Sequence, residues 1–507
     1  MTSKVNSMGI FGMRSYMVEV EADISGGKFR FDMVGLPDTA VSEARERVQA
    51  AIKNSGLGFP FMHIVVNLAP ADVKKEGSVY DLPIFMAVLI AAKQLFVSVK
   101  DKAFIGELSL SGNLRPVDGV LPMVIEAKKA GIKEVYLPYE NAGEAAVVEG
   151  IDIYPVKNAK QLIAHFEEKE EGDRIIKAEP ILYRKGEKDP LSPDFADVKG
   201  QSAAKRALEI AAAGGHNVLM SGPPGSGKSM LAKRLPSILP DMTFEEALDT
   251  TKIYSVSGRL KGQTGLMTER PFRSPHHTVS PVALSGGGTV PKPGEISLAH
   301  NGVLFLDELP EFSRTTMEVM RQPVEDGEIT VSRVAGSLTY PCSIMLVGAM
   351  NPCPCGYLGH PVTECSCTQN AIQRYKNRIS GPLLDRIDIQ IDVPLVAYNE
   401  ISGKAKQEET SAEIRARVEK ARAVQTERFK GTSVTCNAKM TSVQTRKYCI
   451  LEDAAQQLIE SKYETLGLSG RTYDKILRVA RTIADLGGYD IITKNHILEA
   501  LRYRKIY

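Results

Sequence analysis

The 507-residue chain contains no tryptophan, and aromatic residues make up only 6% of it. It also lacks a long apolar run. The longest uncharged one, Leu82 to Ala92, is 11 residues, whereas a membrane-crossing helix needs about 20, so no spanning helix is expected. The opening stretch, MTSKVNSMGIFGMRS, holds no continuous apolar segment of the secretory type, and a cytoplasmic location is expected. Net charge is only +2, from 63 basic and 61 acidic side chains. The balance conceals an asymmetry, because residues 404–507 carry 20 Lys and Arg against 13 Asp and Glu. That basic region is either a surface for an anionic partner or simply a solvated helical face. Cysteine is scarce, seven in all, yet four crowd into Cys353 to Cys367. In a cytoplasmic chain such crowding points to metal before disulfide. The rest is ordinary globular composition, 43% apolar and 24% charged, and at about 150 residues per domain the length implies about three domains.

Residues 1–166 mix short apolar runs with helical stretches, as expected of an α/β or α+β domain. Phe61 to Asn67 reads as a strand, Ser42 to Lys53 as an amphipathic helix, Leu82 to Ala92 as a buried helix, and Gly119 to Gly131 as a helix leading into the strand Glu134 to Leu137. Residues 167–190 are rich in Glu, Lys, Gly and Asp and read as a charged linker. From 191 to 402 short apolar strands alternate with helices: Val218 to Ser221, Val303 to Leu306, Ser343 to Gly348 and Ile387 to Asp392. This pattern predicts a parallel sheet covered on both faces. Residues 403–507 read as nearly all helix, with starts at Ser442 and Asp453 and a break at Leu486-Gly-Gly-Tyr489.

The chemistry concentrates in the strand–helix region. Gly222-Pro-Pro-Gly225-Ser226-Gly227-Lys228-Ser229 is a complete phosphate-binding loop, placed after one strand and before a helix. Its glycines let backbone N–H groups converge on phosphate oxygens, and the helix N-terminus adds positive potential. Lys228 is expected on the β- and γ-phosphates and Ser229 on Mg²⁺. The strand Val303 to Leu306 ends in Asp307-Glu308. Asp307 is expected to hold Mg²⁺ and Glu308 to polarise the attacking water. Asn351 follows the third strand, where an amide can hold that water or the γ-phosphate. Together these motifs predict ATP hydrolysis.

Two arginines invite a role in phosphoryl transfer. Arg386 either pairs locally with Asp385 or Asp388, or points across a subunit boundary at a neighbour's γ-phosphate. Arg471, Arg478 and Arg481 lie on nearby faces of one predicted helix. They form a solvated basic face, or Arg471 senses nucleotide. Cys353-Pro-Cys355 and Cys365-Ser-Cys367 suit a tetrahedral structural Zn²⁺, with His360 as a possible substitute ligand. The alternative is free reduced thiols. Zinc here would fix the segment that presents Arg386. His276-His277 point opposite ways on extended chain, which favours loop positioning over metal. Cys342, Cys436 and Cys449 read as small apolar residues.

These residues together resemble an AAA+ ATPase, and Asp194 to Gln201 resembles the adenine-pocket entry of that superfamily. More narrowly the chain resembles the ComM/YifB family of magnesium-chelatase-like proteins. The shared wording is Gly35-Leu-Pro-Asp38, Val66-Asn-Leu-Ala-Pro70, Pro271-Phe-Arg-Ser-Pro-His-His-Thr278, Leu304 to Glu308, Asn351-Pro-Cys-Pro-Cys-Gly356, Ile379 to Asp388 and Val479 to Asp485. The resemblance covers essentially the whole chain. It implies a Lon-protease-like N-terminal domain, an AAA+ core and a C-terminal helical domain. It also implies a hexameric ring that moves DNA branches during recombination, as in natural transformation. Lys228 and Ser229 match the Walker A residues, Asp307 and Glu308 the Walker B pair, Asn351 sensor one, Arg386 the arginine finger and Arg471 the sensor-two arginine.

Relatives of this layout carry two pore-facing insertions, matched by Leu284 to Gly294, interrupting a helix, and by Glu328 to Tyr340. The alternation of the second around Gly336 itself predicts a hairpin. Lys292 and Arg333 are the candidates for phosphate-backbone contact with branched or single-stranded DNA. Lon-type proteolysis needs a Ser nucleophile and a Lys base. Val79 and Leu121 stand at those places, so the fold is expected without its protease chemistry. Ser78 lacks its base. The domain is then expected to serve assembly or DNA contact, and Lys74 and Lys75 are either available for the latter or mere surface. The rivals are a metal-insertion motor of the magnesium-chelatase type, a protein-remodelling ATPase and an ATP-dependent protease. The extra N-terminal domain and the cysteine loop point away from the first. The second would prefer aromatic pore loops, where only Tyr340 is offered, and Val79 and Leu121 disfavour the third.

Overall fold

In a computed structural model of the chain, the described residues are 2–167, 174–183, 193–260, 265–288, 291–333, 336–396 and 408–504. The predicted linker lies in large part outside them. The chain forms two compact units, Met1–Arg184 with Phe244–Met267, and Lys185–Thr243 with Thr268–Tyr507. Among the described residues no helix is long and apolar enough to cross a membrane.

The first unit is built on strands β1 (Thr2–Phe11), β2 (Arg14–Ser25), β3 (Arg30–Val34), β4 (His63–Ala69), β5 (Lys102–Phe104), a small hairpin of β6 (Glu107–Leu108) and β7 (Leu114–Arg115), then β8 (Glu134–Pro138) and β9 (Asp152–Val156). Seven of them form one sheet in the order β3-β4-β2-β1-β5-β8-β9. In β2 the alternation is plain: Val18, Val20, Ala22 and Ile24 are buried while Glu19, Glu21 and Asp23 are not, the period of a half-buried strand. The helix Asp81–Ala91 is buried along almost its whole length, as its unbroken apolar run predicts.

Val79 and Leu121 are buried side chains of this core or its edge, and the Ser78 hydroxyl donates to the Glu107 carboxylate. Lys74 is exposed beside Glu76, but Lys75 is buried, its ammonium donating to the carbonyls of Pro70 and Val73. Lys75 is therefore not available to DNA, because a buried ammonium must be satisfied internally. The helix Phe244–Val256, drawn from the middle of the expected ATPase stretch, packs on the helix Val120–Lys129 of this unit. Ser255 anchors it, its hydroxyl donating to buried Glu144 at 2.7 Å and its carbonyl accepting from Gly119.

The second unit holds β10 (Val218–Ser221), β11 (Phe272–Arg273), β12 (Gly286–Gly287), β13 (Lys292–Pro293), β14 (Val303–Leu306), β15 (Glu328–Arg333), β16 (Gly336–Pro341), β17 (Met345–Met350) and β18 (Ile389–Asp392). Five form an all-parallel sheet in the order β11-β14-β17-β10-β18. The residues of β10, β14 and β17 are all buried, as strands covered on both faces must be. The third and fourth strands begin two residues later than predicted, and the two-residue β11 carries too little pattern to be predicted.

The helices Ser411–Arg428, Ser442–Tyr448, Asp453–Leu466, Gly470–Gly487 and Lys494–Arg502 follow, with two starts and one break where the sequence put them. They share one apolar core with the sheet through Ile414, Val418, Ile476, Val479 and Ile483. Arg481 does not belong to a solvated face. It is 1% exposed and paired with Asp485 at 3.0 Å, and Asp485 also takes Arg428. Arg478 donates to the Ala438 carbonyl.

Both insertions are present. The helices Pro281–Ser285 and Glu295–Leu298 flank the β12–β13 hairpin, and β15–β16 forms the second hairpin. Tyr340 is fully buried, and its hydroxyl donates to the Pro291 carbonyl at 2.6 Å. The two hairpins are thus tied together, and the aromatic ring considered for a pore is committed to that tie.

Candidate nucleotide site

The C-terminal ends of β10, β14 and β17 lie side by side because the three strands are parallel neighbours. That register brings three separate motifs to one sheet edge. From β10 the chain turns through Gly222 to Gly227 into the helix Lys228–Ile238. Gly225 and Gly227 have φ of +77° and +92°, which only glycine adopts without strain. Gly222 has no room for a side chain, since a Cβ would come 2.2 Å from the Val393 carbonyl oxygen. Buried Ser226 offers its carbonyl to Gln201, whose amide also reaches Pro394.

Lys228 opens the helix and curls back over the loop. Its ammonium donates to the carbonyls of Gly222 at 2.7 Å and Pro223 at 2.9 Å, and to Asn351 Oδ1 at 3.3 Å. Burial lowers its pKa from the usual lysine value, against the opposing pull of Asp307 and Glu308. The Ser229 hydroxyl donates to Asp307 Oδ2 at 2.6 Å. A hydroxyl and a carboxylate meeting at a phosphate loop are the protein ligands that a P-loop Mg²⁺ requires, so Ser229 and Asp307 fit that ion.

Glu308 breaks from β14 with φ +52°, and its side chain is 55% exposed. His277 approaches it, Nδ1 to Oε2 at 3.4 Å. The His276 and His277 rings do not point opposite ways as expected of extended chain but lie side by side, centroids 4.1 Å apart, and the partner of His277 depends on β11 lying beside β14.

Arg386 is elsewhere. It precedes β18, and Asn217, just before β10, donates its side-chain amide to the Arg386 carbonyl. Arg386 therefore stands at the N-terminal edge of the parallel sheet. The four residues of β10 separate it from the phosphate loop, about 13 Å of extended chain. Its guanidinium pairs with neither Asp385 nor Asp388. It bonds Glu325 of the helix Arg321–Asp326, and also donates to Pro382 O. Burial, then the guanidiniums of Arg471 and Arg321, lower its pKa from the usual arginine value.

Arg471 is exposed at the start of its helix. Lys475, one turn on, donates to the carbonyls of Asp385 and Ile387. It also pairs with buried Asp388 at 3.2 Å. Arg471 is thus brought to the edge that holds Arg386, not to its own chain's phosphate loop.

Lys292 is exposed in the first hairpin, while Arg333 ends β15. The four thiols of Cys353, Cys355, Cys365 and Cys367 gather with all Sγ atoms within 4.8 Å of one another. His360 is not among them. Its Nδ1 accepts from the backbone N–H groups of Val362 and Thr363, so it braces its own turn. Cys342, Cys436 and Cys449 are buried away from this group.

A parallel sheet in this order, with a phosphate loop, paired carboxylates and a polar residue at the adjacent strand end, defines an AAA+ ATPase. The comparisons with known proteins narrow this. The family described as "Magnesium chelatase, subunit ChlI" matches residues 194–401, a second ChlI model matches 20–141, and the ChlI C-terminal family matches 408–504. The chain is 43% identical to Competence protein ComM of Haemophilus influenzae over 505 residues, 99% of this chain and 97% of that protein. It is likewise 43% identical to YifB of Escherichia coli, with the same coverage. A stretch of 153 residues, 28% of this chain and 19% of the other, is 28% identical to Lon protease 1 of Hydrogenovibrio crunogenus. The chain belongs to the ComM/YifB family of magnesium-chelatase-like AAA+ proteins. Membership implies ATPase activity.

Proposed function

We propose that this protein is an ATP-driven hexameric ring that moves branched or single-stranded DNA, promoting branch migration in homologous recombination during natural transformation. One observation carries the shared-site part of this reading. Lys228, Ser229, Asp307, Glu308 and Asn351 meet at one edge of the sheet, while Arg386 and Arg471 stand at the opposite edge. A ring closes such a split site, because head-to-tail packing sets one protomer's arginine edge against the next protomer's phosphate edge.

In that site Lys228 holds the β- and γ-phosphates, and Ser229 and Asp307 hold Mg²⁺. Glu308 orients water, with Asn351 beside it. Arg386 and Arg471 of the neighbour meet the charge that develops on the transferred group. Bound Mg²⁺ neutralises phosphate charge. The β12–β13 and β15–β16 hairpins, joined through Tyr340, carry Lys292 and Arg333 toward the polynucleotide. The full-length likeness to a competence protein favours DNA as the partner. Because Tyr340 is buried, the aromatic grip of a protein-remodelling ring has little support, and Val79 and Leu121 leave proteolysis without its nucleophile and base.

Binding to single-stranded DNA should weaken steeply with salt. Lys292→Ala/Arg333→Ala should lower the slope of log affinity against log salt by roughly one for each phosphate that is no longer neutralised. Fluorescence anisotropy over a salt series reads this directly. An unchanged slope in the double variant would remove both residues from the DNA path.

A further inference from the structure

The stretch from Pro352 to Thr368 joins the end of β17 to the helix Gln369–Lys376 and contains no helix or strand. Ordering so long a loop costs conformational entropy, and apolar burial offsets little of it. Val362 is 85% exposed, and Tyr357 and Leu358 are each more than a third exposed. The one fully buried side chain near its start is Cys353. What converges inside the loop instead is sulfur. Cys353 Sγ lies 3.4 Å from Cys355 Sγ and 3.6 Å from Cys365 Sγ, and Cys355 Sγ lies 3.6 Å from Cys365 Sγ. Cys367 completes the group, with every Sγ within 4.8 Å of the others.

These separations are too long for disulfide bonds, which need about 2.05 Å. They are close to the edge of a tetrahedron built on Zn–S bonds of about 2.3 Å, which is roughly 3.8 Å. The thiolate donors are soft, four in number, and free of competing carboxylates or imidazoles within the group, a set shared by zinc, Cu(I) and iron–sulfur centres, and the tetrahedral spacing suits a single zinc ion.

The loop also touches the nucleotide machinery. Gly356, at φ +85°, packs so closely on the phosphate loop that a Cβ there would stand 2.6 Å from Pro224 Cδ. Asn351 immediately precedes the loop. Tyr375, on the helix that follows it, is buried, and the nearby Asn351 backbone opposes part of the rise that burial imposes on its phenol. The thiol cluster is therefore part of the same loop that packs on the phosphate loop at Pro224 and follows directly on the strand-end amide.

We propose that Cys353, Cys355, Cys365 and Cys367 bind one structural Zn²⁺, and that the zinc-held loop braces the phosphate loop through Gly356 and Pro224. The bracing half rests on the ATPase reading, whereas the metal half does not.

The test uses the full chain purified without chelator. Elemental analysis should give one zinc per chain. Protein loaded with Co²⁺ in place of zinc should show the visible absorption of a tetrahedral cobalt thiolate without nucleotide. Cys365→Ser should abolish both, and should Cys365→Ser fail to fold, the wild-type zinc and cobalt readings decide alone. Absence of zinc together with absence of the cobalt bands would overturn the site, whatever the ATPase result. For the brace, zinc is stripped from the wild type with a thiol-reactive mercurial and restored after thiol release. Stripping should lower ATP turnover, by up to about a hundredfold if Asn351 and the loop shift by an ångström, and zinc should restore it. Unchanged kcat and KM in the stripped protein would overturn the brace while leaving both the metal site and the ATPase reading standing.

Discussion

Replacing Glu308 by Gln should leave ATP binding intact and slow hydrolysis by about 10² to 10⁴-fold. In the proposed site Lys228, Ser229 and Asp307 take phosphate and metal, and the bonds that place them, Lys228 to the Gly222 carbonyl and Ser229 to Asp307, do not involve Glu308. Glutamine keeps the size of the side chain but cannot accept a proton from water. The backbone supports the assignment. Glu308 leaves β14 in the left-handed region, its N–H held by Asp307 Oδ1 at 3.0 Å, so the turn keeps the Asp307 carboxylate on Ser229 and leaves that of Glu308 largely exposed. Such a conformation is uncommon for a residue with a side chain, and it falls at the strand end where the proposed mechanism orients a water. Equilibrium binding of a fluorescent ATP analogue together with phosphate release checks both halves. Hydrolysis at the wild-type rate in this variant would remove Glu308 from the chemistry.

Replacing Arg386 by Ala should reduce turnover by about 10³-fold or more, within the range that arginine fingers supply, again with ATP still bound. The distinctive expectation concerns mixtures. Within one chain Arg386 lies on the wrong edge of the sheet for its own phosphate loop and is engaged by Glu325. An Arg386→Ala protomer keeps an intact phosphate edge, and a Glu308→Gln protomer keeps an intact arginine edge. Mixed rings should therefore contain some complete interfaces and recover ATP hydrolysis that neither variant shows alone. No recovery at any mixing ratio would mean that each protomer completes its own site. The Glu325 pair adds a detail, because under the proposed shared site the guanidinium would exchange this carboxylate for a neighbour's phosphate.

Much of the nucleotide site was legible because its signals are local. The glycines at 222, 225 and 227, the Lys-Ser pair, and the Asp-Glu ending an apolar strand each announce their geometry within a few residues, and the strands Val218–Ser221 and Val303–Leu306 were bounded correctly. What escaped depends on packing between distant segments. The pattern around Arg386 offered Asp385 and Asp388 as partners, yet the fold brings Glu325 to the guanidinium and commits Asp388 to Lys475. Lys74-Lys75 reads as two equivalent surface lysines, but a turn of backbone carbonyls captures the second. The arginine helix has strong amphipathic spacing, but only contact with Asp485 and the carbonyls of Tyr489 and Asp490 shows that Arg481 is interior. The helix Phe244–Val256 belongs with the first unit because of Ser255 and Glu144, a pairing across more than a hundred residues that no local periodicity encodes.

The most direct measurement of the whole account is strand exchange in a fluorescently labelled four-way DNA junction incubated with the purified protein. With ATP and Mg²⁺ the wild type should move the branch point and separate the labelled arms, whereas Glu308→Gln should bind the junction and leave it in place. Brisk ATP hydrolysis that is indifferent to DNA, with the junction intact, would contradict the account.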